Sequence, residues 1–291
     1  MSGPVRSVLV CGASGFIGRS IVRALREAGL SVTPASSSSH NFSRSLKASD
    51  WLPRLAGFDA VVNAVGILRD TRDRSTDILH HRAPAALFEA CAEAGVRRVV
   101  QISANGVAQS DTRYATSKRA ADEVLMRLRA QGRLEGTVVR PSIVFGRGGA
   151  SSAMFMSMAR LPVLVLPAAA LQARIQPVAV QDVALACLRL LQDAGPELVT
   201  AVGPQALPLA AFIGELRRQL GHGKAMVVPL PPAPSRWSAR LGDLMTFQPW
   251  STESLSLLQQ DNIGDAAAFG KLLGRAPVPL ERFVEAAWQS A

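Results

Sequence analysis

Tyr114 and Lys118 stand four residues apart, a spacing that sets both side chains on one face of a helix. An ammonium beside a phenol favours the phenolate and lowers its pKa. A tyrosine in that position can give or take a proton near neutral pH. The spacing alone is common. Here Tyr114 is the only tyrosine in the chain, and it opens the helix that follows a strand-like run.

A second group can hold an anion. Gly12, Ala13, Ser14, Gly15, Phe16, Ile17 and Gly18 carry glycines spaced three and three. Gly12 permits a tight turn off a strand, Gly15 lets the backbone approach a pyrophosphate, and Gly18 lets a helix pack closely. The helix N-terminus offers free N–H groups and a partial positive charge. The flanks supply the context that gives such a triad meaning: the apolar run Val8, Leu9, Val10, Cys11 before it, and Ile17, Ile21, Ala24, Leu25 and Ala28 at helical spacing after it. The ligand implied is a nicotinamide dinucleotide, and Lys118 can then also hydrogen-bond the nicotinamide ribose. The other reading of the glycines is a structural turn.

An NAD site usually carries an acid at the end of the second strand, bonded to the adenosine ribose. Residues 35–40 here are Ala, Ser, Ser, Ser, Ser and His, with no carboxylate. An acid would repel a 2′-phosphate, so its absence predicts NADP, with NAD as the alternative. Ser36 and Ser37 then fall on the cofactor. Arg19, just past Gly18, is the first candidate to pair with the phosphate and Arg44 the second. A serine-rich surface loop beside an unrelated arginine is the plainer reading.

These residues need a scaffold of alternating strands and helices. Strands are predicted at 8–11, 30–33, 59–63, 98–103 and 137–140, and helices at 17–28, 85–94 and 114–131. The alternation predicts an α/β fold: a Rossmann-type doubly wound parallel sheet with right-handed crossovers. Beyond about residue 147 the pattern loosens. Short strands at 163–166, 198–202 and 225–228 mix with helices at 181–193, 209–220 and 252–260. We therefore expect a dinucleotide-binding domain over 1–147, its sheet completed by later segments, and a smaller C-terminal α/β lobe over 148–291.

Asn63, Ala64, Val65 and Gly66, together with the run Arg140, Pro141, Ser142, Ile143, Val144, Phe145, Gly146, complete a set that resembles the extended or atypical short-chain dehydrogenase/reductases, including the NAD-dependent epimerase/dehydratase group. Further stretches are similar to the branch of the nucleotide-binding accessory subunit of mitochondrial complex I and its bacterial relatives. These are Val65-Gly66-Ile67-Leu68, Ile102-Ser103-Ala104-Asn105-Gly106, the run from Gln176 to Ala184, and Leu258-Gln259-Gln260-Asp261-Asn262. The resemblance implies that Gly12, Gly15 and Gly18, helped by Ser14, Phe16 and Ile17, cradle the pyrophosphate. It implies that Ala64, Val65 and Gly66 line the adenosine side. Ile102 and Ser103 flank the nicotinamide ribose, and Pro141 and Ile143 approach the nicotinamide. Asn41 or Phe42 stands where the family often has an acid near the adenine. The family's Ser or Thr beside the tyrosine falls on Asn105, on Ser103 if the loop shifts, or more remotely on Ser110. Ser103 joins Tyr114 and Lys118 as the expected catalytic set.

Composition removes other classes. The chain has 291 residues, 48% hydrophobic, with a net charge of +10. No apolar run reaches the roughly 18 to 20 residues of a membrane-spanning helix, and no secretory leader is evident, so a cytoplasmic protein is expected. The basic residues are scattered and aromatics are only 5%, which argues against nucleic acid. Cys11, Cys91 and Cys187 are read as core residues, and His40, His80, His81 and His222 offer no metal set. Asp182 reads as the N-cap of a helix. Trp237, Met245, Phe247 and Trp250 read as lobe core, as a pocket wall, or as a contact for a lipid-like substrate or partner. Two functions follow. One is an NADP(H)-dependent oxidoreductase or epimerase acting on an unidentified small molecule, such as a carbonyl, alcohol or sugar-nucleotide-like compound. The other is an accessory or sensor protein whose bound nucleotide is structural.

Overall fold

Runs of Val, Leu and Ala form the strands of one sheet in a computed structural model that describes residues 4–67, 70, 74–243, 252–257 and 260–289. Leu68, Met245, Phe247, Trp250, Leu258 and Gln259 lie outside the described residues. The elements that matter here are β1 (Ser7–Cys11), α1 (Phe16–Glu27), β2 (Ser31–Ala35), β3 (Ala60–Asn63), α2 (Ala83–Glu93), β4 (Arg98–Ile102), α3 (Arg113–Ala130), β5 (Glu135–Pro141), α4 (Val180–Gln192) and β6 (Leu198–Ala201). The six strands lie in the order β6-β5-β4-β3-β1-β2. The pairs from β2 through β5 are all parallel. This is the predicted Rossmann-type α/β fold.

Every residue of β3 is buried, as a strand covered on both faces requires. α1 buries Gly18, Ile21, Val22 and Leu25 on one stripe. Gly29, at φ +82°, ends it in the left-handed conformation that a side chain would disfavour. β2 runs to Ala35, past the expected end at residue 33. It can include Pro34 because it is the sheet's edge, where a missing N–H breaks no second ladder. α2 starts at Ala83, two residues early, with Pro84 in its first turn and a π-helical turn, Asp77–Arg82, before it. The chain order reverses at β1, which has β2 on one side and β3 on the other, and α/β sheets bind ligands in the crevice at such a reversal.

The sequence expectation drew one boundary at 147/148. The compact units are Met1–Pro141 with Val183–Thr200, and Ser142–Asp182 with Ala201–Ala291. The first packs Leu9, Cys11, Trp51, Val61, Phe88, Val99 and Leu125 into one core. The second is built on Phe145, Phe155, Phe212 and Phe283, whose rings lie 5.4–6.3 Å apart. All three cysteines are free and buried.

Two sequence expectations fail in the second unit. Asp182 is not an N-cap. The helix begins two residues earlier, and the carboxylate accepts from Arg275 Nη2 at 2.6 Å and from the Val278 N–H at 2.7 Å. It is buried and ties the 275–278 segment to the helix start. Of the three readings of Trp237, lobe core fails: the side chain is 69% exposed, because its helix, Pro232–Asp243, buries small residues instead. Among the described residues no helix is long and apolar enough to cross a membrane, and no cluster of His, Cys, Asp or Glu could hold a metal.

Candidate dinucleotide site

The glycine loop leaves no room for side chains. Gly12 sits at φ +78°, and a Cβ there would lie 2.7 Å from the Ala64 carbonyl and the Val65 nitrogen. A Cβ on Gly18 would lie 2.1 Å from the Gly12 oxygen, whereas one on Gly15 would meet the same oxygen at 3.1 Å. Gly18 is thus required by the loop itself rather than by helix–sheet packing. The loops after β1, β2 and β3 are knit by backbone bonds, Ala13 N to Ala35 O at 3.0 Å and Ala64 N to Cys11 O at 2.9 Å. α1 has no acid in its first turn, so its positive end is not neutralised from within.

These loops enclose a cleft of about 360 Å³. It brings together Gly12, Ser14, Gly15, Ser37, Asn41, Phe42, Ala64, Val65 and Gly66 from the residues singled out in the sequence. The remaining described lining comes from His40, Ser43, Ile67, Arg74 and Leu79, and no carboxylate is among the described lining residues. A glycine cradle at a helix N-terminus, opening into a cleft whose described lining holds no carboxylate, suits the pyrophosphate and adenosine of a dinucleotide.

His40, Phe42 and Trp51 form an aromatic cluster on one flank, with His40 4.5 Å from Trp51 and 5.0 Å from Phe42 between ring centroids. Burial, and then the Arg54 charge, lowers the His40 pKa, so this flank is a neutral surface. Ser36 closes a serine turn, its Oγ 2.7 Å from Ser38 Oγ. Arg19 folds back over the loop and donates to the Ser14 carbonyl at 2.5 Å. Arg44 is exposed on a short 3-10 turn. Arg74 is the arginine among the described lining residues of the cleft, and the sequence reading did not name it.

The tyrosine helix carries a second cluster. Lys118 is buried and donates from Nζ to Ile102 O at 3.0 Å and to Val65 O at 3.4 Å. Burial lowers its pKa to about 8, against the raising effect of Asp122. The Tyr114 ring meets His80 edge-on, with centroids 5.3 Å apart. The Ile67 N–H donates to His80 Nε2 at 3.0 Å, so the ring proton sits on Nδ1, 3.2 Å from Ser117 Oγ. Burial and the Lys118 charge push the His80 pKa down to about 2, which keeps that tautomer neutral. The Ser117 hydroxyl in turn donates to the Tyr114 carbonyl at 3.0 Å.

Beneath these groups Ser103 donates to Asp122 Oδ2 at 2.8 Å. Arg140 donates to the same oxygen from Nε at 3.0 Å and Nη2 at 2.9 Å. Asp122 stands four residues beyond Lys118 on α3, a spacing that could have signalled it. His80 gave no such signal, since its partners lie 13 and 37 residues away. The Asn105 N–H is bonded to Pro141 O at 2.8 Å, and Ser110 Oγ accepts from the Thr112 N–H at 3.3 Å at the start of α3. Phe16 and Ile17 open α1, while Ile143 belongs to the second unit.

Known proteins are similar to this chain in sequence and in fold. The rat (Rattus norvegicus) mitochondrial NADH dehydrogenase [ubiquinone] 1 alpha subcomplex subunit 9 is 25% identical over 229 residues, 77% of this chain and 59% of the relative. A ceramide reductase from Caulobacter vibrioides is 28% identical over 190 residues, 61% of this chain and 58% of the relative. The chain thus spans about three-fifths of the length of these curated relatives. A Thermus thermophilus UDP-glucose 4-epimerase solved with NAD superposes with a TM-score of 0.69 at 19% identity, covering 98% of this chain and all of that one, which shows a common fold. The family model described as the NAD dependent epimerase/dehydratase family matches residues 8–203. With its glycine cradle, parallel sheet and Tyr114–Lys118 helix, this chain belongs to the NAD dependent epimerase/dehydratase family, whose members bind a nicotinamide dinucleotide.

Proposed function

We propose that this chain is an NADP(H)-dependent oxidoreductase or epimerase acting at a carbonyl or alcohol carbon of a small molecule. The observation that carries this reading is the Tyr114–Lys118–His80 cluster, with Lys118 Nζ held by carbonyls at the ends of β3 and β4. A bound nicotinamide dinucleotide supplies or accepts a hydride. The chain's own residues do the rest. The Lys118 ammonium favours the Tyr114 phenolate and so matches the phenol to proton transfer near neutral pH. His80 is neutral and fixed by two hydrogen bonds, so it orients the tyrosine ring without adding charge. In reduction Tyr114 gives its hydroxyl proton to the substrate oxygen as the carbon gains the hydride, and in oxidation it takes that proton back.

The preference for NADP(H) rests on a cleft lined by Ser37, Ser43 and Arg74, with no carboxylate among its described lining residues. The Arg19 Nη1 is held on the Ser14 carbonyl, and its remaining N–H groups are the ones that could serve the 2′-phosphate.

One observation favours a second reading, an accessory or sensor protein with a structural nucleotide. The Ser103 hydroxyl donates into Asp122, so its hydrogen is not directed at a substrate oxygen. Complementation in the organism of origin separates the two readings. Tyr114→Phe keeps the ring and removes the proton carrier, so an enzyme should lose about 100-fold or more of its turnover and fail to complement while still binding NADPH. Full complementation by Tyr114→Phe overturns the enzymatic reading and leaves the accessory one.

A further inference from the structure

The helix Pro232–Asp243 is inside out for a water-facing element. A surface helix normally turns its apolar stripe inward and its charges outward. Here the buried stripe is Ser235, Ala239 and Gly242. At about 100° per residue, Trp237 and Leu241 lie on the opposite side, with Arg236 and Arg240 as the stripe beside them. Trp237 is 69% exposed and Leu241 55%. Through Pro231 this helix continues directly from the strand Met226–Leu230, which pairs in parallel with Val163–Pro167. That ribbon turns Leu164 and Leu166 inward but leaves Val165 53% and Met226 62% exposed. Large apolar side chains left exposed on one helix and on the ribbon that leads into it mark a surface that meets something.

The charges select the partner. Over 221–243 the charged residues are Lys224, Arg236 and Arg240 against one acid, Asp243. Arg160 stands exposed just before the neighbouring strand, which contains no acid. A two-fold contact between copies would set Arg236 and Arg240 against the same arginines. An anionic lipid surface accepts them, while Trp237 and Leu241 enter the boundary between headgroups and chains, the arrangement of an interfacial helix. We propose that this face of the second unit, centred on Arg236, Trp237, Arg240 and Leu241, docks the protein peripherally on anionic membranes.

Vesicle co-sedimentation of the full chain tests this, on vesicles of equal parts phosphatidylglycerol and phosphatidylcholine and on pure phosphatidylcholine. The protein should bind the mixed vesicles, and high salt should release much of it. Arg236→Gln and Arg240→Gln should each weaken binding about fivefold. Trp237→Ser with Leu241→Ser should weaken it about tenfold or more. All four side chains are exposed, so these variants should fold. Arg127→Gln with Arg133→Gln removes two charges from the first unit, at the end of α3 and just past it, and should change binding little. Three results would overturn the proposal: no binding to the mixed vesicles, an equal loss from the Arg127 and Arg133 variant, or a dimer in sedimentation that Trp237→Ser with Leu241→Ser dissociates.

Discussion

Replacing Arg140 with Met should unbalance the cluster beneath the tyrosine helix in a way that pH reveals. The Asp122 side chain is 0% exposed and that of Arg140 14%. Asp122 Oδ2 accepts from Ser103 and twice from Arg140, while Oδ1 is buried without a partner. Burial already raises the Asp122 pKa, and Arg140 is the largest influence holding it down. Arg140→Met keeps most of the side-chain bulk and strands the carboxylate. Removing one partner of a buried pair costs about 3–5 kcal/mol. The sign follows from linkage: with its folded pKa above the unfolded value, Asp122 holds more protons in the folded state, and stability falls as pH rises through the folded pKa. The variant pushes that pKa higher, so the loss should be full near pH 8 and smaller near about pH 5. Urea denaturation at both pH values is the assay. Adding Asp122→Asn should restore much of the loss, because the neutral amide needs no counter-charge. A loss below about 1 kcal/mol, the range of an exposed pair, or an equal loss at both pH values, would refute the argument.

Gly18→Ala should abolish NADPH binding in a titration, since its Cβ would sit 2.1 Å from the Gly12 oxygen, while Gly15→Ala, at 3.1 Å, should do less harm. Lys118→Met should alter the pH profile of stability. The folded pKa of about 8 lies below the ordinary 10.5, so the unfolded state binds more protons between them. Wild type should therefore gain on Lys118→Met by up to about 3 kcal/mol as pH rises across that window. The buried thiols, whose raised pKa values act oppositely, cancel in this comparison by denaturation. Arg74→Ala should weaken NADPH binding by about 1.5–3 kcal/mol, the worth of a charged hydrogen bond, and leave NADH binding nearly unchanged by calorimetry.

Local signals carried the fold. The β1 strand, its glycine loop and α1 are consecutive, and their turn, helix spacing and terminating Gly29 are all written within one stretch. The same holds for α3, whose Thr112 cap accepts from the Ala115 N–H three residues on. What lay beyond the sequence depends on distant partners. His80 is explained only by Ile67 and Ser117. Asp182 looked like a cap because an acid near a helix start usually is one, yet its ligands come from 275 and 278. Trp237 looked like core because large apolar residues usually are, but Ser235 and Ala239 hold the inward face of its helix. Arg74 followed no motif, and it reaches the cleft from just before the π-helical turn.

Calorimetric titration of the purified chain with NADPH and with NADH tests the central claim most directly. The glycine cradle, and a cleft without a carboxylate among its described lining residues, predict saturable binding of both, with NADPH about tenfold or more tighter, a difference of about 1.4 kcal/mol. Failure to bind either nucleotide would contradict the site itself, and tighter binding of NADH would contradict the reading of its adenosine side.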